Sequence, residues 1–206
     1  MTSLNSIEEF ADGQLLVREM AHRINNEFAS AISLVSLTAA RTNNQEVKLA
    51  LAGVADHLHS YARVHRALQM PLQIESVNAS DHMRSLCQSI SQSKLGYRGI
   101  ELVYVGSPVK LSSERCWKLG MIVSELVTNA ARHAFGEGGG TIRVELLAIE
   151  ASIECRVVDN GAVRGQIRPG QGTRIIEALV RGLDGEVTQI FGPNGTTSTV
   201  VFPQRP

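Results

Sequence analysis

Helix breakers are scarce where the chain begins. No proline precedes Pro71, and between residues 8 and 70 the only glycines are Gly13 and Gly53. That excludes a succession of turns and short strands there and leaves long helices. Cysteine is sparse too: Cys87, Cys116 and Cys155 are scattered, without metal-ligand spacing, and read as small buried apolar side chains in a reducing compartment. Long apolar runs are missing. The longest uncharged stretch near the N-terminus, 28–40, carries four hydroxyl residues and is too short to cross a bilayer. No basic-then-apolar signal precedes it. An excess of charge of either sign is also absent, since Lys+Arg and Asp+Glu both number 20. A nucleic-acid partner would need a basic face. The expectation is a cytoplasmic protein with no membrane insertion and no nucleic-acid partner. Taken as complete, the chain also has no transmembrane sensor of its own, which makes a separate sensor protein a candidate partner.

What is present falls into two parts. In the first, apolar residues recur at Leu16, Met20, Ile24, Phe28, Ile32 and Val35, in steps of three and four. After the polar break "RTNNQE" come Val47, Leu51, Val54, Leu58, Tyr61, His65 and Leu68, a heptad seam. This predicts an antiparallel helical hairpin. Each buried large apolar side chain contributes roughly 1.5–3 kcal/mol, while ordering costs about 1.5 kcal/mol per residue. One seam is therefore too little, and two hairpins paired as a homodimeric four-helix bundle are expected. His65 reads as a packed, hydrogen-bonded histidine rather than a catalytic one.

"MPLQ" at 70–73 stops the helices, and the texture then changes. "LQIESV" is strand-like. Ser80 is the expected N-cap of a helix through "SDHMRSLCQSISQS", and "IELVYVG" alternates as a strand. Residues 112–135 form a long helix opened by "SSE". "GTIRVELLAIE" pairs with "SIECRVVD", "TRIIEALVRGLDG" is a third helix, and "EVTQIF" with "TSTVVFP" closes a hairpin around "GPNG". The expected class is α+β: a helical hairpin over residues 1–71, then a two-layer α/β sandwich over 72–206.

Three segments of the second part carry chemistry. In "ELVTNAARHAF", Glu125, Asn129 and His133 stand at i, i+4 and i+8 on one helix face. An amide oxygen such as that of Asn129 suits Mg²⁺, which prefers oxygen and keeps several waters. Glu125 can accept a proton or orient a metal-bound water. In "VVDNGAVRG", turn chemistry accounts for Asn160 and Gly161 but not for Asp159 after an apolar strand. A purine amino group would satisfy that carboxylate through a charged hydrogen bond worth roughly 1.5–3 kcal/mol. In "GQGTRIIEAL", Gly170 and Gly172 before a helix let backbone N–H groups approach an anion.

In this order and spacing the three segments resemble the N, G1 and G2 boxes of the histidine-kinase ATP-binding domain, of GHKL or Bergerat fold. "NGTTSTVVFP" is similar to that family's final hairpin, whose threonine, here Thr196 or Thr197, supports the adenine-binding aspartate. "EMAHRINNEF" looks like the phosphoacceptor box of the HisKA_2 and HWE subfamilies, with Asn25 where lysine is usual. The resemblance implies ATP and Mg²⁺ as cofactors and a response-regulator receiver domain as partner. It makes His22 the phosphoacceptor, Asn129 the Mg²⁺ ligand, Glu125 its neighbour and candidate base, and Asp159 the adenine partner. Gly161, Gly170 and Gly172 shape the pocket, and His133 closes the N box.

At cytoplasmic pH an imidazole is mostly neutral, with one ring nitrogen free to attack phosphorus. The other needs an acceptor, which Glu19 or Asn26 can supply at i−3 and i+4, Glu19 being favoured for its charge. Arg23 is a candidate cation for the γ-phosphate. Only eight residues, "AVRGQIRP", separate Gly161 from Gly170, where many family members carry a longer lid; Arg164 and Arg168 lie in it. Two functions follow: an ATP-dependent histidine kinase acting on a response-regulator aspartate, or a dimeric phosphotransfer protein that relays phosphate without using ATP. A serine kinase on the same ATPase fold would not need a hairpin bearing His22.

Overall fold

The structure, a computed structural model, describes residues 2–69, 76–135, 138–162 and 171–204, with side chains from residue 19 onward and without that of Gln171. The expected stop at "MPLQ", the start of "LQIESV", Arg164, Arg168 and Gly170 lie outside these residues, as does the side chain of Leu16. Two compact units divide the chain, Met1–Met70 and Pro71–Pro206.

The first unit is two packed helices, α1 (Thr2–Arg41) and α2 (Gln45–Ala67). Their three-residue connection turns on Asn44, whose side-chain oxygen accepts from the N–H groups of Glu46 at 2.9 Å and Val47 at 3.3 Å. It thereby satisfies two donors that open the second helix. The seam stays partly wet: Ile24 is 39% exposed and Val54 47%. His65 is half-buried with its ring 6.1 Å from that of Phe28. Its Nδ1 has no hydrogen-bond partner among the described residues, so it is packed but not bonded as expected.

The second unit begins with β1 (Ser76–Asn78) and α3 (Ala79–Ile90). The helix is capped by Asn78, which accepts from Ser80 N–H at 3.1 Å and donates to Asp81 at 2.7 Å. Ser80 is therefore not the N-cap. It lies inside the first turn, buried, and accepts from the Tyr104 hydroxyl. A π turn and a 3-10 turn extend the chain to Gly99, and β2 (Ile100–Gly106) and β3 (Lys110–Ser112) follow. The remaining elements are α4 (Ser113–His133), β4 (Gly140–Ile149), β5 (Ser152–Asp159), α5 (Gln171–Arg181), β6 (Glu186–Gly192) and β7 (Gly195–Pro203). β1 and β3 form a small ribbon.

The main sheet runs β2-β4-β5-β7-β6, with β2 parallel to β4 and the other pairs antiparallel. Alternation puts Val144, Leu146, Ile153, Cys155, Val200 and Phe202 on its buried face. α4 contributes Leu119, Ile122, Val123 and Val127, none more than 0% exposed. The first half of α4 is bolted down: Arg115 donates to the carbonyls of Leu183 and Pro203 at 3.3 and 2.7 Å, and Lys118 to that of Gly182 at 2.9 Å. That leaves its second half to face the end of β5. The cysteines are buried, and burial pushes the Cys87 and Cys116 thiols up to about 12. They stay un-ionised and inert.

Truncating Leu119 leaves a cavity between helix and sheet, so Leu119→Ala should cost about 3 kcal/mol. Urea unfolding followed by fluorescence of the single tryptophan, Trp117 on the same helix, measures it.

Candidate functional site

Asp159 closes β5 on the buried face and is 5% exposed. Its Oδ1 accepts from the backbone N–H groups of Gly161 at 3.0 Å and Thr196 at 3.2 Å. The Thr196 hydroxyl is a further donor to the same carboxylate. Burial is the largest influence on this carboxyl and pushes its pKa above the ordinary value, while the bonds from Gly161 and from the backbone and hydroxyl of Thr196 pull the other way. Gly161 has to be glycine, because a Cβ there would collide with the backbone of Ala134 at the end of α4.

Asp159 borders a cavity of about 420 Å³. Glu125, Asn129 and His133 reach it from the second half of α4, Gly172 from the start of α5 and Thr196 from β7. Gly172 lies directly against the Glu125 carboxylate, so a side chain there would displace that flexible group. Thr197 sits one residue along β7, paired with Val158 and Ile190, and points to the opposite face of the sheet. Thr196 is thus the threonine at the carboxylate. Gly170 lies outside the described residues.

Sequence reasoning missed Arg132, Ile175, Gln189, Phe191 and Ser198 on the cavity wall. Arg132 was within reach, three residues after Asn129 on the same helix. The β6 and β7 residues gave no local signal, because only pairing of those strands brings them here.

Among the described residues no cluster of His, Cys, Asp and Glu could hold a metal. Mg²⁺ needs no such cluster, since one amide or carboxylate oxygen plus water suffices. Half-buried Asn129 and Glu125 on the same wall fit that donor set.

In the first unit His22 is exposed on α1, together with Glu19, Arg23 and Asn26. Among the described residues its ring has no hydrogen-bond partner. Glu19 Oε1 instead accepts from Arg23 Nε at 3.0 Å. An i,i+4 pairing of opposite charges, glutamate first, is the favoured order on a helix.

Two family models match the chain, one described as histidine kinase (HisKA_2) over residues 19–94, the other as a histidine kinase-like ATPase domain over 101–197. The chain belongs to the histidine kinases. Among relatives of this histidine-kinase chain is the sensor histidine kinase PdtaS. The Mycolicibacterium smegmatis protein is 30% identical over 90% of the chain and 38% of its own length. The Mycobacterium tuberculosis one is 35% identical over 63% of the chain and 26% of its own length. The chain thus spans well under half the length of these PdtaS proteins. Among solved structures, the histidine kinase domain of Erythrobacter litoralis EL346 matches with a TM-score of 0.59 at 18% identity, covering 87% of this chain and 96% of that one. A bacterial phosphotransferase matches with a TM-score of 0.64 at 10% identity, covering 92% and 96%. At those identities both show the fold.

A carboxyl whose pKa is raised on folding stabilises fully below its ordinary 3.8, and that contribution is lost as pH rises through the folded value. Asp159→Asn keeps an oxygen for the two N–H groups and removes the buried charge. Its thermal midpoint at pH 7 should exceed that of the wild type by a few degrees. Melting curves should show the difference closing as pH falls below 3.8.

Proposed function

We propose that this chain is an ATP-dependent histidine kinase module that phosphorylates itself on His22 and passes the phosphoryl group to a response-regulator aspartate. The observation that carries it is the Asp159 carboxylate, buried at a cavity of nucleotide size and held by two backbone N–H groups. With Oδ1 already receiving two N–H groups, the carboxylate suits a single further donor, such as the exocyclic amino group of adenine. Guanine offers two adjacent donors and would need both oxygens. Asn129 would hold Mg²⁺ through its amide oxygen, with Glu125 orienting bound water. When bound, the ion supplies charge neutralisation on the phosphates. Arg132, exposed on the cavity wall, adds a cation for the phosphates.

A neutral ring nitrogen of His22 attacks the γ-phosphorus. The N–P bond forms as the bond from phosphorus to the bridging oxygen breaks, ADP leaves with that electron pair, and the ring returns to neutral by losing the proton on its other nitrogen. Exposure of His22 on a helix suits such an in-line approach. The Glu19–Arg23 pair is exposed, so solvent screening keeps it weak enough to release Arg23 toward phosphate. The half-wet seam supports the homodimer, since a second hairpin would cover Ile24 and Val54.

The phosphotransfer reading is favoured by the short 162–169 loop and by the fold likeness to the bacterial phosphotransferase. Incubation with γ-labelled ATP and Mg²⁺ decides between them. Acid-labile, alkali-stable label should appear, vanish in His22→Ala, and fall at least tenfold in Asn129→Ala, on the scale of lost electrostatic stabilisation. An unlabelled wild type that also binds no nucleotide selects the phosphotransfer reading. Val54→Asp should convert the dimer to monomer in sedimentation velocity; a wild type already monomeric refutes the bundle.

A further inference from the structure

One apolar feature of the cavity has no part in the chemistry above. Among the described residues Phe191 carries the only phenyl ring on the cavity wall, and it is 47% exposed. It sits on β6, an edge strand bonded only to β7. A ring left half in water there forgoes much of the burial that makes phenylalanine stabilising. Ile175 on α5 shares the wall and is 46% exposed, although Ile176 beside it is 4% exposed in the core.

The register says what Phe191 stands beside. It pairs directly with Thr196 across the antiparallel β6–β7 ladder, so their side chains share one face with Cβ atoms roughly 5 Å apart. Thr196 is the residue whose N–H occupies Asp159 Oδ1. The ring therefore flanks the Asp159 carboxylate. Two residues back on the same face, the Gln189 amide is fixed by a 3.0 Å bond from Nε2 to Ser198 Oγ, so this stretch of wall is preformed. A planar group held at its edge by Asp159 turns its faces to the walls on either side, and an exposed ring is the surface suited to meet one.

We propose that Phe191 is a nucleotide-binding residue of this chain: its ring packs on the face of the base whose amino group Asp159 receives, and Ile175 extends that apolar contact. This rests on the reading of the cavity as an adenine-nucleotide site. Such packing supplies base affinity from the β6 side, independently of the loop after Gly161. Calorimetric titration of ADP with Mg²⁺ into the full chain tests it, alongside melting of each protein without nucleotide. Phe191→Ala should raise the Kd roughly tenfold, the scale of one base–aromatic contact, with an unchanged melting midpoint, and Phe191→Tyr should restore wild-type affinity. If the alanine variant does not fold, Phe191→Leu, which keeps apolar volume without the ring, should show the same loss. Wild-type affinity in Phe191→Ala, or in Phe191→Leu, overturns the proposal alone, as does a tyrosine variant as weak as the alanine one. A wild type that takes no ADP overturns both the proposal and the reading beneath it.

Discussion

The buried Asp159 carboxylate has to be held, and holding it organises the far end of the sheet. Its Oδ1 gathers N–H groups from the turn after β5 and from the first residues of β7. That turn comes so close to the end of α4 that residue 161 has no room for a side chain. Three elements thus converge on one oxygen atom. An ionised carboxylate out of water costs several kcal/mol unless paired or bonded, and two backbone bonds offset only part of it. The raised pKa expresses the remainder. A site that keeps this cost is set up to return it when a further donor arrives at the carboxylate.

α4 divides its labour along its length. Its first half spends charged side chains on carbonyls, through Arg115 and Lys118, and so locks the helix to the ends of α5 and β7. The second half puts Glu125, Asn129, Arg132 and His133 on the cavity. Polar groups on a bolted helix are placed more accurately than groups on a loop. The hairpin works on the opposite principle. His22 and its neighbours are exposed, which under the proposed function leaves the ring open to a phosphoryl donor.

Much of this was legible in the residues because helices and strands report themselves locally. Steps of three and four marked α1 and α2, and alternation marked β2. Asp159 stood out as an acid ending an apolar strand, and the N-box spacing put Glu125, Asn129 and His133 on one face. Failures came where two local options compete. Ser80 and Asn78 are both good caps, and the chain uses Asn78 because Ser80 is buried against the Tyr104 hydroxyl.

What the sequence by itself determined is the set of elements and the chemical groups they carry, because backbone periodicity and motif spacing act over a few residues. Only the tertiary structure decided which groups meet. The parallel pairing of β2 with β4, the choice of Thr196 over Thr197, and the arrival of Gln189 and Phe191 beside Asp159 all depend on strand register between segments distant in the chain. Register is settled by how the whole buried face packs, and a shift of one residue would turn every one of those side chains to the other side of the sheet.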